Sequence, residues 1–433
     1  MLRNVGHLVS GNAAALVLGV ATMGILARTL GPAGLGVIVL VESYGKLINQ
    51  IVKLENWQSL IRYGTQALES DDTPRFLRLV KFGFVLDIGL SLFAAAICIV
   101  FADLAGSLFE WDAQAVDMAR FYSIALIFGV ASTPLGILRL FDRFAYIAWL
   151  DPAAAVLRLA LVATAAFTGA GLWTFIAIMV FVLVAQRIAL SVIAYRQLRQ
   201  RGYGSFLRQP IAGVARENPG MWEMIASMNA TILLRKSTQE IDILAVGAFL
   251  GPAAAGIYQI ARRLGYAMTK AGGTLQQVSF PHLAKLWAKA DFTAFNRLVK
   301  QIEGLTAAGA AVCTLVLVFF AEEVVVLIAG PEYSEAGLPL IVQSIATLLL
   351  LCGSALRPAL ANMGLQTKVL MATGFSAIAF YITALVFIPM TGIVGASIAH
   401  MVSSAVMLPA LMVIYSRGMK NERSKVSAGL PED

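Results

Sequence analysis

The stretch LGPAGLG at Leu30–Gly36 occurs again as LGPAAAG at Leu250–Gly256, with five of the seven positions identical. In each copy a long apolar segment leads into the stretch, Gly-Pro breaks the helix, and a second long segment follows with charges spaced for one helical face. The two copies lie 220 residues apart in a chain of 433. In a chain rich in Gly and Ala such a match can arise by chance, but the shared flanks favour a duplicated unit. We therefore predict two tandem halves.

The composition is that of a membrane protein. Hydrophobic residues make up 59% of the chain, charged residues only 13%, and the mean hydropathy is +0.78, which is too apolar for a soluble protein of this length. Apolar segments recur along the chain, each long enough to cross a hydrocarbon core of about 30 Å. The sequence predicts an all-α polytopic membrane protein. The net charge of +8 comes without a basic domain interleaved with aromatic residues, so we expect no nucleic-acid partner.

We predict twelve transmembrane helices. The first is too long for the apolar region of a cleaved signal peptide, so we expect it to be retained. In the fifth, Asp151-Pro152 has the pattern of an N-cap followed by proline at the first helical position. The predicted segments are 8–30, 35–65, 79–102, 119–139, 151–171, 173–196, 223–250, 255–284, 299–328, 338–361, 367–389 and 393–415.

The basic residues sort the loops into two sets. One set holds 22 of the 33 Lys and Arg residues, whereas the alternate loops hold none, with Arg120 at the edge of one, and carry acidic runs instead. The positive-inside rule then places both termini in the cytoplasm and the two Gly-Pro turns outside.

Six helices per half is an even number, so both halves enter the membrane from the same side. We expect two parallel six-helix repeats around a central cavity. The predicted organisation is an N-terminal lobe at 1–197, a cytoplasmic linker at 198–222, a C-terminal lobe at 223–416 and a cytoplasmic tail at 417–433.

Several cations fall deep inside the predicted helices. Six of them facing lipid would cost roughly 15–21 kcal/mol, which is at or above the stability of a typical fold. Arg158 and Arg187 are expected to reach the cytoplasmic headgroups by snorkelling. The others must face water or acidic partners. The predicted substrate-binding cations are Arg28, Lys46, Lys53, Arg235, Lys236, Arg262, Arg263 and Lys270.

Helical spacing places part of this set on polar stripes. Glu42, Lys46 and Lys53 lie on one face of the second helix, and Arg235 and Asp242 lie on one face of the seventh. Internal ion pairing, such as Glu42 with Lys46 at i,i+4, is the structural alternative. The deep cations outnumber the deep carboxylates, so the sequence favours an aqueous cavity that receives an anion.

Intramembrane carboxylates are also candidates for ion coupling. The predicted coupling residues are Glu42, Asp87 and Asp242. The sequence contains no HExxH motif, no nucleotide-binding glycine loop and no Cys/His cluster, so we expect no catalytic residues, metal site or cofactor. His400 is expected to be a packed helix residue rather than a proton relay.

The first Gly-Pro turn, Ala27–Gly36, resembles the AR-x-LGP-x-G-x-G turn after the first helix of the polysaccharide biosynthesis exporters, the Wzx-type flippases. The second half is similar to the same family through Asp242–Leu244, Leu250–Pro252 and Gly256–Tyr258. These exporters belong to the multidrug/oligosaccharidyl-lipid/polysaccharide exporter superfamily. The matched motifs cover the two hairpins, and the helix count and repeat extend the resemblance over the chain.

This resemblance implies two six-helix lobes arranged as a V, a cavity lined mainly by helices 1, 2, 7 and 8, and alternating access. The implied substrate is an undecaprenyl-diphosphate-linked oligosaccharide, moved from the cytoplasmic to the periplasmic leaflet of the inner membrane for O-antigen, exopolysaccharide or capsule synthesis. The implied partners are membrane lipids, a polysaccharide polymerase and chain-length machinery. The halves are not symmetric, because helix 1 has Ala15 and Thr22 where helix 7 has Arg235 and Asp242.

Two other functions compete. A drug antiporter of the same fold would favour a cavity with excess carboxylates, whereas Lys and Arg predominate here. A membrane polymerase or ligase acting on the same lipid-linked substrate would need large external loops with positioned catalytic groups, and the predicted external loops are too short to carry a folded domain.

Overall fold

The computed structural model describes the backbone of residues 2–427 and the side chains of 14–230, 232, 233, 238, 240–270, 272 and 282–422. Within those residues the chain is almost entirely helical and contains no strand. The helices are α1 (Leu2–Val52), α2 (Trp57–Glu69), α3 (Thr73–Val100), α4 (Ala102–Leu108), α5 (Ala113–Ile127), α6 (Ser132–Leu140), α7 (Phe144–Phe167), α8 (Leu172–Gln200), α9 (Val214–Glu217), α10 (Met221–Ala288), α11 (Phe292–Ala329), α12 (Gly337–Cys352), α13 (Leu356–Asn362), α14 (Gln366–Thr391) and α15 (Ile393–Ser427).

Ten helical stretches of the described chain are long and apolar enough to cross a membrane. Two of them, Ala14–Val52 and Glu240–Lys270, contain the two Gly-Pro turns. The predicted all-α polytopic membrane fold is therefore confirmed. The number of twelve helices and the parallel relation of two repeats stay predictions.

Both copies of the Gly-Pro motif break their helix with the same backbone conformation. Gly31 has φ 66° and ψ 177°, and Gly251 has φ 80° and ψ 176°. This combination of positive φ and extended ψ is open to glycine and strained for other residues. The proline that follows lacks a backbone N–H, which the first position of a new helix does not need. The predicted helix break is confirmed at both sites.

The chain divides into two compact units, residues 1–244 and 245–433. In the first unit, α1 packs against α3, α5 and α7, and α2 packs against α3 and α6. In the second unit, α15 packs against α12, α13 and α14, and α11 packs against α12.

The predicted linker region folds onto the first unit. Its short helix α9 and the 3₁₀ turn Gly204–Arg208 pack against α3. Arg78 Nε lies 2.9 Å from Glu217 Oε2, and Lys81 Nζ donates to the Gln209 carbonyl at 2.6 Å. The Tyr63 hydroxyl donates to the Pro219 carbonyl at 2.7 Å. This segment is therefore part of a packed structure, while the predicted lobe boundaries stay a prediction.

Three predicted helices are interrupted. The predicted segment 35–65 stops at Val52 and resumes at Trp57. The predicted segment 119–139 is divided between α5 and α6, and the predicted segment 338–361 is divided between α12 and α13. The breaks at 128–131 and 353–355 lie in apolar or weakly polar stretches, where hydropathy gives no signal, whereas the break at 53–56 contains Lys53, Glu55 and Asn56. Protein groups that surround such a break can satisfy the freed backbone groups.

The predicted start of the fifth helix was wrong. Helix α7 begins at Phe144, so Asp151 and Pro152 lie inside it rather than at its N-terminus. The preceding residues FAYIAWL are apolar and extend the helix in spite of the proline, since transmembrane helices tolerate interior proline when neighbouring groups compensate. Asp151 does not cap the helix. It accepts a hydrogen bond from Gln186 Nε2 of α8 at 2.7 Å.

Candidate functional site

The predicted stripe on the second half of α1 contains an ion pair. Lys46 Nζ lies 2.9 Å from Glu42 Oε1 one turn away, and the two side chains are 43% and 17% exposed. Internal ion pairing, the structural alternative to substrate binding, is therefore what is observed for Glu42 and Lys46. Glu42 neutralises Lys46 in this state, so neither residue counts as surplus charge.

The other predicted cations are distributed over both units. Arg28 lies exposed just before the Gly31 break, and Lys53 is half-buried on the non-helical stretch that joins α1 to α2. In the second unit Arg262, Arg263 and Lys270 are half-buried on α10, and Arg262 Nη1 has a long contact of 3.4 Å with Gln259 Oε1. The side chains of Arg235 and Lys236 lie outside the described residues.

Two arginines that sequence reasoning dismissed lie deep in the first unit. Arg158 is fourteen residues from the start of α7 and nine from its end, and Arg187 is fifteen residues from the start of α8 and thirteen from its end. At 1.5 Å per residue, both lie about 14 Å or more from either helix end. The expectation that both side chains snorkel to the cytoplasmic headgroups stays a prediction.

These arginines belong to a cluster of charged groups around Tyr122 of α5. The Tyr122 hydroxyl interacts electrostatically with Glu42, Arg158 and Glu240. Arg187 interacts electrostatically with Asp151 and Tyr122. Within the described chain the buried Nε of Arg158 has no hydrogen-bond partner. Among the described residues, the first unit therefore contains a cation with an unfilled donor near the middle of α7.

The predicted carboxylates have different surroundings. Asp242 is fully buried, and its Oδ1 accepts a hydrogen bond from the backbone N–H of the next residue, Ile243, at 2.7 Å. Asp87 lies in the middle of α3 with 3% exposure, and the backbone N–H of Thr133 donates to its Oδ2 at 2.8 Å. His400 packs against the Phe380 ring with centroids 4.8 Å apart, as expected of a packed residue.

Solved structures with the same fold belong to membrane transporters. The lipid II flippase MurJ in an inward closed conformation superposes with a TM-score of 0.70 at 13% identity, covering 98% of this chain and 93% of MurJ. An inward-facing multidrug resistance transporter of the MATE family superposes with a TM-score of 0.68 at 14% identity, covering 96% and 94% of the two chains. The chain therefore shares the fold of these two proteins.

The chain belongs to the polysaccharide biosynthesis protein family, whose model matches residues 25–338. A relative, the inner membrane protein YghQ of Escherichia coli (strain K12), is 28% identical over 337 residues, which are 78% of this chain and 94% of YghQ. Together with the apolar helices, these relationships make the protein a multi-pass inner membrane protein.

Proposed function

We propose that the protein is a flippase for undecaprenyl-diphosphate-linked oligosaccharide. It moves this lipid from the cytoplasmic to the periplasmic leaflet by alternating access, and so supplies O-antigen, exopolysaccharide or capsule synthesis. Both termini lie in the cytoplasm. Family membership supports a role in polysaccharide synthesis, and the fold supports transport rather than catalysis.

The observation that carries the proposal is the presence of cations in the middle of apolar helices. Arg158 provides such a cation in the first unit, and Arg262 and Arg263 lie eleven and twelve residues beyond the Gly251 break in the second. A diphosphate must leave the headgroup layer with its negative charge, so its passage requires compensating cations. Arginine binds phosphate oxygens with two parallel hydrogen bonds, which suits this task.

In this proposal the cations do not contribute equally. Lys46 is neutralised by Glu42 in the observed state, so it supports the fold of α1 rather than the first contact with substrate. The half-buried Arg262, Arg263 and Lys270, together with Arg28, Lys53, Arg235 and Lys236, are proposed to line the path of the diphosphate. Arg158 joins this set because its Nε lacks a hydrogen-bond partner in the described part of the chain.

A drug antiporter is the main competitor, because the MATE transporter shares the fold. Thermal stability of the purified protein separates the two functions. Undecaprenyl diphosphate is expected to raise the melting temperature, whereas ethidium, a cationic drug, is expected to leave it unchanged. Undecaprenyl monophosphate is the matched control, since it has the same lipid and less charge. Stabilisation by ethidium without stabilisation by undecaprenyl diphosphate would overturn the proposal.

A further inference from the structure

Asp87 lies where two interrupted helices of the first unit meet α3. One interruption is the non-helical stretch 53–56 between α1 and α2, and the other separates α5 from α6 at 128–131. Asn56 connects the three elements: its Nδ2 donates to Thr133 Oγ1 at 3.2 Å and makes a longer contact of 3.5 Å with Asp87 Oδ1. Asp87, Asn56 and Thr133 are all buried.

Asp87 acts as a helix cap supplied by a neighbouring helix. The first four N–H groups of a helix have no partner within it, and the residue before α6 is Ala131, which has no side-chain acceptor. Asp87 Oδ2 accepts the hydrogen bond of the Thr133 N–H at 2.8 Å instead. The partial positive charge at the start of α6 favours a carboxylate there.

The second unit makes a similar junction without a carboxylate. Where α12 gives way to α13, the Thr306 hydroxyl of α11 donates to the Leu351 carbonyl at 3.2 Å and lies 3.3 Å from the Ser354 hydroxyl. Thr306 follows Asp87 by 219 residues, and Ser354 follows Thr133 by 221, close to the 220-residue spacing of the Gly-Pro motifs. Thr306 donates to a carbonyl at the end of α12, and the N-cap of α13, Ala355, has no side-chain hydrogen bond. A junction of this kind therefore does not require the carboxylate that Asp87 supplies to the start of α6.

A carboxylate buried among membrane helices is costly as an anion and marks ion pathways in transport proteins. The described hydrogen bonds to Asp87 include those from the Thr133 N–H and the Asn56 amide, and these neutral donors leave the carboxylate able to take up a proton. The charged groups that act on it within the described chain are Lys53 and Glu55. Both are partly exposed on the stretch 53–56.

We propose that Asp87 is a proton-binding site that couples transport to the transmembrane proton gradient. Uptake of a proton neutralises the carboxylate and weakens the hydrogen bond from the Thr133 N–H, so that α3 and the start of α6 separate. Release of the proton restores the bond. The coupling rests on the proposed flippase function, whereas the proton site itself does not.

Infrared difference spectroscopy of the full-length protein in nanodiscs tests the site without any substrate. Between alkaline and acidic pH, the wild-type protein is expected to gain a carboxylic-acid C=O band that Asp87→Asn lacks. The amide of this variant has the shape of the carboxyl group but cannot bind or release a proton, so it holds the site in a permanently neutral state. Asp103→Asn, which removes an exposed carboxylate paired with Arg120, is the matched control and keeps the band. A band that persists in Asp87→Asn would overturn the proposal.

A second measurement on the wild-type protein covers the case in which Asp87→Asn does not fold. Dicyclohexylcarbodiimide reacts with protonated carboxyl groups in apolar surroundings, and mass spectrometry locates the adduct. We expect labelling of Asp87 that decreases as the pH is raised. Absence of label on Asp87 at every pH would contradict the proposal.

Proteoliposomes test the coupling. With fluorescent undecaprenyl-diphosphate-N-acetylglucosamine as the probe, an imposed pH gradient is expected to accelerate flipping severalfold in the wild type and in Asp103→Asn, but not in Asp87→Asn. Acceleration by a Na⁺ gradient alone, or an intact pH response in Asp87→Asn, would overturn the coupling. A wild-type protein that flips no probe under any gradient would contradict the proposed function, while the infrared result would still decide the proton site.

Discussion

Lys46 Nζ lies 2.9 Å from Glu42 Oε1 on the second half of α1, and Glu42 is the more buried of the two. Removal of Lys46 therefore leaves a poorly solvated carboxylate without its counter-ion. Removal of Glu42 leaves a cation that still reaches water through its larger exposed surface.

This asymmetry predicts the outcome of a double-mutant cycle. Lys46→Gln is expected to lower the melting temperature more than Glu42→Gln does, and the double variant is expected to recover part of the loss. The coupling should be at least about 0.5 kcal/mol, the upper range for i,i+4 ion pairs on exposed helices. Thermal unfolding of the four proteins in detergent provides the measurement. Strictly additive effects would show that the pair contributes nothing.

The Gly251 break offers a test of the fold. Gly251 has φ 80° and no atom within 4 Å of an added Cβ, so Gly251→Ala introduces backbone strain without a clash. The variant is expected to lose about 1–3 kcal/mol of unfolding free energy. Gly374→Ala is the matched control, because Gly374 also has open space but lies inside α14. It should be neutral or stabilising by up to about 1 kcal/mol. Equal effects of the two substitutions would contradict the assigned break.

Much of the fold could be predicted from the sequence, because helix breaks and membrane crossings are marked by short stretches of residues. Gly-Pro in an apolar context identifies a helix break whatever surrounds it, and both breaks occur at the predicted residues, Gly31 and Gly251. Hydropathy likewise reflects the bilayer, which imposes one length on every crossing. These features can be recognised without knowing how the helices pack.

The candidate site was harder to predict from the sequence, because its residues are brought together by the packing of different helices. Asp151-Pro152 predicts a helix start, whereas α7 begins seven residues earlier, so Arg158 lies seven residues further from that helix end than the sequence predicts. The break at 53–56 contains neither Gly nor Pro, so no local signal shows that Asn56 meets Asp87 and Thr133.

Arg158 provides a prediction specific to the first unit. If its unfilled Nε donor serves the substrate, Arg158→Lys keeps the charge but loses the paired hydrogen bonds of a guanidinium, and flipping should fall with little change in melting temperature. Arg120→Lys is the control, because Arg120 is exposed and paired with Asp103 and Asp117. Normal flipping by Arg158→Lys would remove this residue from the substrate path.

The proposed topology is tested by cysteine labelling in spheroplasts. In a background without Cys98, Cys313 and Cys352, a membrane-impermeant maleimide is expected to label Gln114→Cys, which lies exposed near the start of α5. Ser205→Cys, exposed in the segment after α8, should react only after lysis. The reverse pattern would place both termini outside.

Cations inside the second unit are proposed to bind the diphosphate of a lipid-linked glycan. The most direct measurement is flipping of fluorescent undecaprenyl-diphosphate-N-acetylglucosamine by Arg262→Gln and Lys270→Gln in proteoliposomes, with the melting temperature of each variant measured in parallel. Flipping is expected to fall by an order of magnitude or more, which corresponds to the loss of about 1.4 kcal/mol or more of charge-assisted binding, at an almost unchanged melting temperature. Full flipping by both variants, or a loss of flipping that follows loss of folding, would contradict it.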